Sequence, residues 1–142
     1  MAEELKNCFA AGMPLSIAAI SSHLNTVVIG STLAVLQSVG STNYFIKQRS
    51  DILDDGFTVL SETQLSGRGR LGRTFLSPKG GLYMSTLILD HRVSADPVGL
   101  TVRAAVAVAR AIRTLTGLSV GIKWVNDIYY QDKKLCGILA ER

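Results

Sequence analysis

The fifteen residues GRGRLGRTFLSPKGG (67–81) narrow the folds open to this chain more than any other stretch. They hold three arginines, a lysine and five glycines, and no acid occurs anywhere from Thr63 through Leu89. Such a segment repels itself, carries no helical period and runs into Pro78, so it is a loop that its neighbours must support. Those neighbours are β-rich. FTVLSET (57–63) precedes it, entered through the turn Asp54-Asp55-Gly56, and the largely buried strand LYMSTLILD (82–90) follows.

The loop satisfies two phosphate-binding patterns at once. Gly67, Gly69 and Gly72 fit G-x-G-x-x-G, and Gly67 to Thr74 fit a P-loop with Arg in place of Lys. Both patterns need a helix immediately afterwards, with its N-terminus facing the phosphate. Thr74-Phe75-Leu76-Ser77-Pro78 supplies none, which argues against both folds. What survives is anion chemistry without a helix, since glycines admit backbone N–H groups close to a ligand and arginines donate in pairs without losing charge. A solvated basic loop and a grip on single-stranded RNA stand beside it as alternatives.

Composition bounds the rest. The chain has 142 residues, 47% hydrophobic and 18% charged, as one globular domain would. Its net charge of +4 can be concentrated in the one loop, where Arg68, Arg70, Arg73 and Lys79 fall, which points to a small anion or a phosphate chain as partner. Cys8 and Cys136 lack CxxC spacing and imply a reduced, cytoplasmic protein. Residues 14–20 are apolar but too short to span a bilayer, and the start MAEELK is acidic, so no membrane or export signal is expected.

Along the chain, PLSIAAISSHL (14–24) reads as a short helix with Pro14 in its first turn. Leu33 to Val39 reads as a strand, and Ser41 as the N-cap of a helix through about Arg49. Between Ser94 and Gly117, the residues Val98, Val102, Ala105, Val106, Ala109, Ile112 and Leu115 recur at helical spacing. VGIKWVN (120–126) is a further strand, and DIYYQDKKLCGILAE (127–141) a hairpin turning at Gln131 to Lys133. The pattern is α+β, with chemistry on loops. His23 and His91 lack metal-ligand companions, and Cys136 lacks a paired base.

Several polar groups cluster in sequence. Ser41-Thr42-Asn43 opens a helix, Gln64 stands just before the basic loop with both a donor and an acceptor, and Lys123-Trp124-Val125-Asn126-Asp127 precedes Lys133-Lys134-Leu135-Cys136-Gly137 on one hairpin. The order STN, ETQLSGRGRLGRTFLSPKGGLYMS, KWVNDIYY, KKLCGIL resembles the catalytic domain of biotin protein ligases, or biotin-[acetyl-CoA carboxylase] ligases, from about Leu15 to Arg142. Lipoate ligases share that fold with a different signature loop.

The resemblance implies a mixed, mostly antiparallel sheet packed by helices, like that of class II aminoacyl-tRNA synthetases. It implies activation of biotin with ATP and Mg2+ to biotinyl-5'-AMP, then transfer to a lysine of a biotin carboxyl carrier domain. By the same resemblance, Ser41, Thr42, Gln64, Gly67, Arg68 and Gly137 would bind biotin. Arg70, Arg73, Phe75, Asn126 and Lys134 would bind the nucleotide, Arg68, Arg70 and Lys134 would be catalytic, and Asp127 would face Mg2+. Residues 65–77 are expected to be mobile without ligand. Gly40 and Val125 stand where relatives carry Asp and Pro, and Phe75 where many carry Trp. Family domains continue past the position of Arg142, so the chain is expected to be a partial catalytic domain after a 1–14 extension. A C-terminal β domain and a helix-turn-helix domain are expected to be absent, DNA is not an expected partner, and a homodimer remains open.

Overall fold

The computed structural model describes residues 15–89 and 97–142. Expectations placed on the 1–14 extension, Cys8, Pro14 and His91 lie outside them. By their internal contacts the described residues form two compact units, one of 15–68 with 72–89 and one of 69–71 with 97–142.

The first unit is built on a β–α–β turn of chain. Strands β1 (Leu33–Leu36) and β2 (Thr58–Ser61) pair in parallel, Leu33 opposite Thr58 and Leu36 opposite Ser61. Parallel neighbours need a crossover, and helix α2 (Thr42–Lys47) lies within it. Strand β3 (Tyr83–Thr86) then returns antiparallel on the other side of β2. β2 is therefore central, and all four of its residues are buried. Its core of Ile46, Phe57 and Val59 is packed by Ala34, Leu36, Phe45, Leu53 and Leu87.

The turn entering β2 requires its glycine: Gly56 has φ +84°, and a side chain there would collide with the Val28 carbonyl. Helix α1 (Ile17–Ser21) begins later than the sequence pattern implied, because Ser16 caps it by accepting from Ala19 N at 3.2 Å. α2 is likewise capped by Ser41, as expected, and ends two residues before Arg49.

The second unit pairs helix α3 (Pro97–Thr116) with an antiparallel meander of β4 (Gly121–Lys123), β5 (Asp127–Tyr130) and β6 (Lys133–Gly137). Gly117, at φ +72°, closes the helix by donating to Arg113 O. The hairpin turns at Gln131, whose φ is 51°. Ala109, Val120 and Ile128 make the core. The apolar stripe of α3 is narrower than its periodicity predicted: Ala105 and Ala109 are buried, whereas Val98, Val106 and Leu115 are exposed. Small residues let the helix lie close to the sheet, and within this unit one three-stranded sheet covers only one stripe of it.

Among the described residues, three of the four strand pairings are antiparallel, in keeping with the expected mixed, mostly antiparallel α+β fold, and the strands fall into two three-stranded sheets. Among the described residues, no helix is long and apolar enough to cross a membrane.

Candidate functional site

The ladder between β1 and β2 does not stop at the strand ends. Val39 N donates to Thr63 O, Leu65 N to Val39 O and Ser66 N to Gly40 O, so the chain entering the basic loop is laid against the chain entering α2. This brings residues more than twenty positions apart together. Gln64 Oε1 accepts from Thr42 N at 2.9 Å and from Thr42 Oγ1 at 3.0 Å. Gln64 Nε2 donates to Ser77 Oγ at 2.9 Å, and Ser77 Oγ donates to Phe75 O at 3.0 Å. Ser85 Oγ donates to Thr42 Oγ1 at 2.7 Å and also touches the Asn43 side chain. Ser41, Thr42, Ser77 and Ser85 are buried, as suits hydroxyls that are hydrogen-bonded.

Gly67 forms the floor of this cluster. A Cβ there would meet the Phe75 carbonyl, Ser77 Oγ at 2.6 Å and Gln64 Nε2 at 3.1 Å, so only glycine fits. Phe75 N donates to Gly67 O at 2.9 Å, and Arg68 bridges Thr74, so the loop has an antiparallel neck. No helix follows it, in agreement with the rejection of the two phosphate-loop motifs. Beyond the neck Leu71 has φ 57° and is 91% exposed. Arg68, Arg70 and Arg73 are exposed, and the Arg68 guanidinium lies over the Tyr44 ring, 5.2 Å from its centroid.

The second unit gathers another set. Arg70 Nη1 donates to Asn126 Oδ1 at 3.2 Å, and Asn126 is pinned to Ile138 by Asn126 Nδ2 to Ile138 O at 3.2 Å and Ile138 N to Asn126 O at 2.8 Å. Lys134 Nζ pairs with Asp127 Oδ1 at 2.7 Å across the hairpin. Gly137 stands opposite Asp127, in this unit and apart from the other expected biotin residues in sequence and unit. An open depression here is lined by Arg70, Val98, Thr101, Val125 and Ile138. Cys136 sits in β6, and burial pushes its thiol pKa up; Lys134 pulls it down and Asp127 adds to the rise. A thiol held protonated is a poor nucleophile, in keeping with the lack of a paired base.

With this geometry in place, the residues 33–142 match the model of the biotin/lipoate A/B protein ligase family. The chain belongs to that family.

Relatives within the biotin/lipoate ligases sharpen the comparison. The bifunctional ligase/repressor BirA of Escherichia coli is 39% identical over 113 residues, which are 79% of this chain and 35% of BirA. The biotin–[acetyl-CoA-carboxylase] ligase of Mycobacterium tuberculosis is 33% identical, over 77% of this chain and 44% of that protein. Among solved structures, biotin protein ligase from Aquifex aeolicus in complex with biotin and ATP superposes with a TM-score of 0.72 at 35% identity, covering 79% of this chain and 47% of that one. The Leishmania major ligase in complex with biotinyl-5-AMP gives 0.55 at 30% identity, covering 73% and 49%. The chain thus spans less than half the length of these relatives.

Two members of the first cluster had no signal in the sequence. Ser77 and Ser85 are isolated serines without charge, spacing or cap position, and only the pairing of distant strands brings them to Gln64 and Thr42. Gln64 itself was legible as polar but not in its polarity, because both acceptor sites of its oxygen are used within the chain.

Proposed function

We propose that the chain carries biotin-activating residues of a biotin protein ligase. The biotin carboxylate oxygen attacks the α-phosphorus of ATP and pyrophosphate leaves. The acyl carbon of biotinyl-5'-AMP is then attacked by a lysine amine of a biotin carboxyl carrier protein, and AMP leaves. The observation that carries this reading is the neutral hydrogen-bonding cluster of Thr42, Gln64 and Ser77 against Gly67, at the foot of an acid-free loop whose arginines stay exposed.

The physical case is electrostatic. Two anions 4 Å apart repel by about 1 kcal/mol in water and about 4 kcal/mol at an effective dielectric of 20. Excluding water to protect the labile adenylate therefore requires cations. Arg68 is assigned to the biotin carboxylate and the phosphate, with Arg70 and Lys134 at the phosphate. Arg73 adds positive charge, and Phe75 offers the adenine an aromatic face. Ser41, Thr42 and Gln64 receive the ureido ring beside the Gly67 backbone. No protein nucleophile is needed.

The residues do not fit a resident divalent ion. Among the described residues no group of three His, Cys, Asp or Glu side chains converges, and Asp127 is paired with Lys134. Asp127 is better placed to hold that ammonium, and Mg2+ enters this reading only as the counterion of ATP.

A thermal-shift comparison with biotin, lipoate, ATP plus Mg2+ and RNA tests the proposal. Stabilisation by biotin, increased by ATP, supports it. Stabilisation by lipoate alone transfers the site to the other half of the family, and salt-sensitive RNA binding indifferent to biotin overturns it.

A further inference from the structure

One face of the second sheet carries four side chains in a crossed arrangement. Ile128 and the Cys136 opposite it belong to the core side, so Asp127 and Tyr129, its neighbours on β5, lie on the other face together with Lys123, which stands opposite Asp127. Lys134 joins them because the ladder between β5 and β6 skips Leu135, so that Lys134 and not Leu135 stands opposite Tyr129. Without that bulge Lys134 would turn to the core side.

Each lysine reaches past the residue opposite it. The Lys123 ammonium passes Asp127 and lies over the Tyr129 ring, 5.3 Å from its centroid. The Lys134 ammonium passes Tyr129 and lies 2.7 Å from Asp127 Oδ1. That oxygen is buried and lacks a hydrogen bond of good geometry, so it is held by the charge of Lys134. An exposed cation–π contact is weak and easily given up. A largely buried carboxylate stripped of its counter-charge is costly, and more so beside a second anion.

We propose that Lys123 is a positioning residue for the phosphate site: when Lys134 leaves Asp127 for the phosphate, the Lys123 ammonium leaves the Tyr129 ring and replaces it at the carboxylate. Asp127 then neither holds Lys134 back nor repels the incoming anion. The inference rests on the biotin ligase reading, in which Lys134 meets the phosphate. Lys123 acts through Asp127 and does not touch the ligand, and Tyr129 is its resting place in the empty site. Directly opposite residues on paired strands are close enough for the exchange to need only a turn of the lysine side chain.

The test is calorimetric titration of the chain with biotin and with biotinol-5'-AMP, a stable analogue of the adenylate that keeps its phosphate charge. Lys123→Met should weaken the analogue about tenfold and leave biotin within about twofold, and Lys123→Arg should restore the analogue. Tyr129→Leu should tighten the analogue about twofold to fivefold, because it removes a contact that only the empty site makes. In an Asp127→Asn chain, Lys123→Met should have no further effect. A loss that persists in the Asp127→Asn chain means that Lys123 touches the phosphate directly, and it overturns the inference. So does an absent loss or equal weakening of both ligands in Lys123→Met, or an analogue bound no more tightly by Tyr129→Leu. The sign of the Tyr129→Leu effect decides the matter if Lys123→Met does not fold. Failure of the unaltered chain to bind biotin overturns the proposed function itself, and this inference with it.

Discussion

Gly67→Ala is the sharpest probe of the loop foot. The added methyl would meet one backbone atom, the Phe75 carbonyl, and two side-chain atoms, Ser77 Oγ and Gln64 Nε2. The side chains can turn away, but the carbonyl moves only if the returning chain moves with it. Overpacking of this kind costs about 1–3 kcal/mol. Displacement also opens the Phe75–Gly67 and Gln64–Ser77 hydrogen bonds, worth about 1 kcal/mol each, so a total of about 3–5 kcal/mol is expected. At about 3 °C per kcal/mol for a domain of this size, Tm should fall by about 9–15 °C. Biotin affinity should fall at least about tenfold, which requires a loss of only about 1.4 kcal/mol. Gly40→Ala is the control, since a Cβ there meets nothing within 4 Å. Differential scanning calorimetry and biotin titration of both variants provide the assay. If Gly67→Ala matches Gly40→Ala in both measurements, the steric reasoning is wrong.

Three further outcomes are expected. Arg70→Ala should weaken biotinyl-5'-AMP more than biotin, because only the adenylate adds a phosphate charge; equal losses by calorimetry would remove Arg70 from that role. Hydrogen exchange on ligand-free chain should be slow at Gln64 N and Phe75 N, which donate to Ser77 O and Gly67 O, and fast at 69–73; slow exchange throughout 65–77 would contradict a mobile loop. Cys136 should resist alkylation above the ordinary thiol pKa of 9.0, as read by peptide mapping. Its folded pKa is raised by burial, so the stability it contributes is complete below the unfolded pKa and is lost as pH rises through the folded one. Stability increasing across that window in a comparison with Cys136→Ala would refute the assignment.

Local signals carried much of this fold. The period of α3, its glycine stop, the Asp54-Asp55-Gly56 turn and the β5–β6 hairpin depend on residues close in sequence, and each was legible. The parallel pairing of β1 with β2 was not, because no local pattern records which distant strand a segment will join. The same blindness hid Ser85, which reaches Thr42 across 43 positions. Val106 and Leu115 looked like core because periodicity reports a face, not how much of that face a neighbour covers. Arg70 and Asn126 were both anticipated, yet their hydrogen bond was not, since it joins residues 56 positions apart.

The hydroxyl chain from Ser85 through Thr42 and Gln64 to Ser77 constrains how such a protein can drift. Each interior member is donor to one neighbour and acceptor from another, so an isolated replacement strands a buried group on either side of it. Substitutions along this path should therefore be strongly epistatic, and retuning toward a differently shaped small molecule would begin at an end of the path or change several members together.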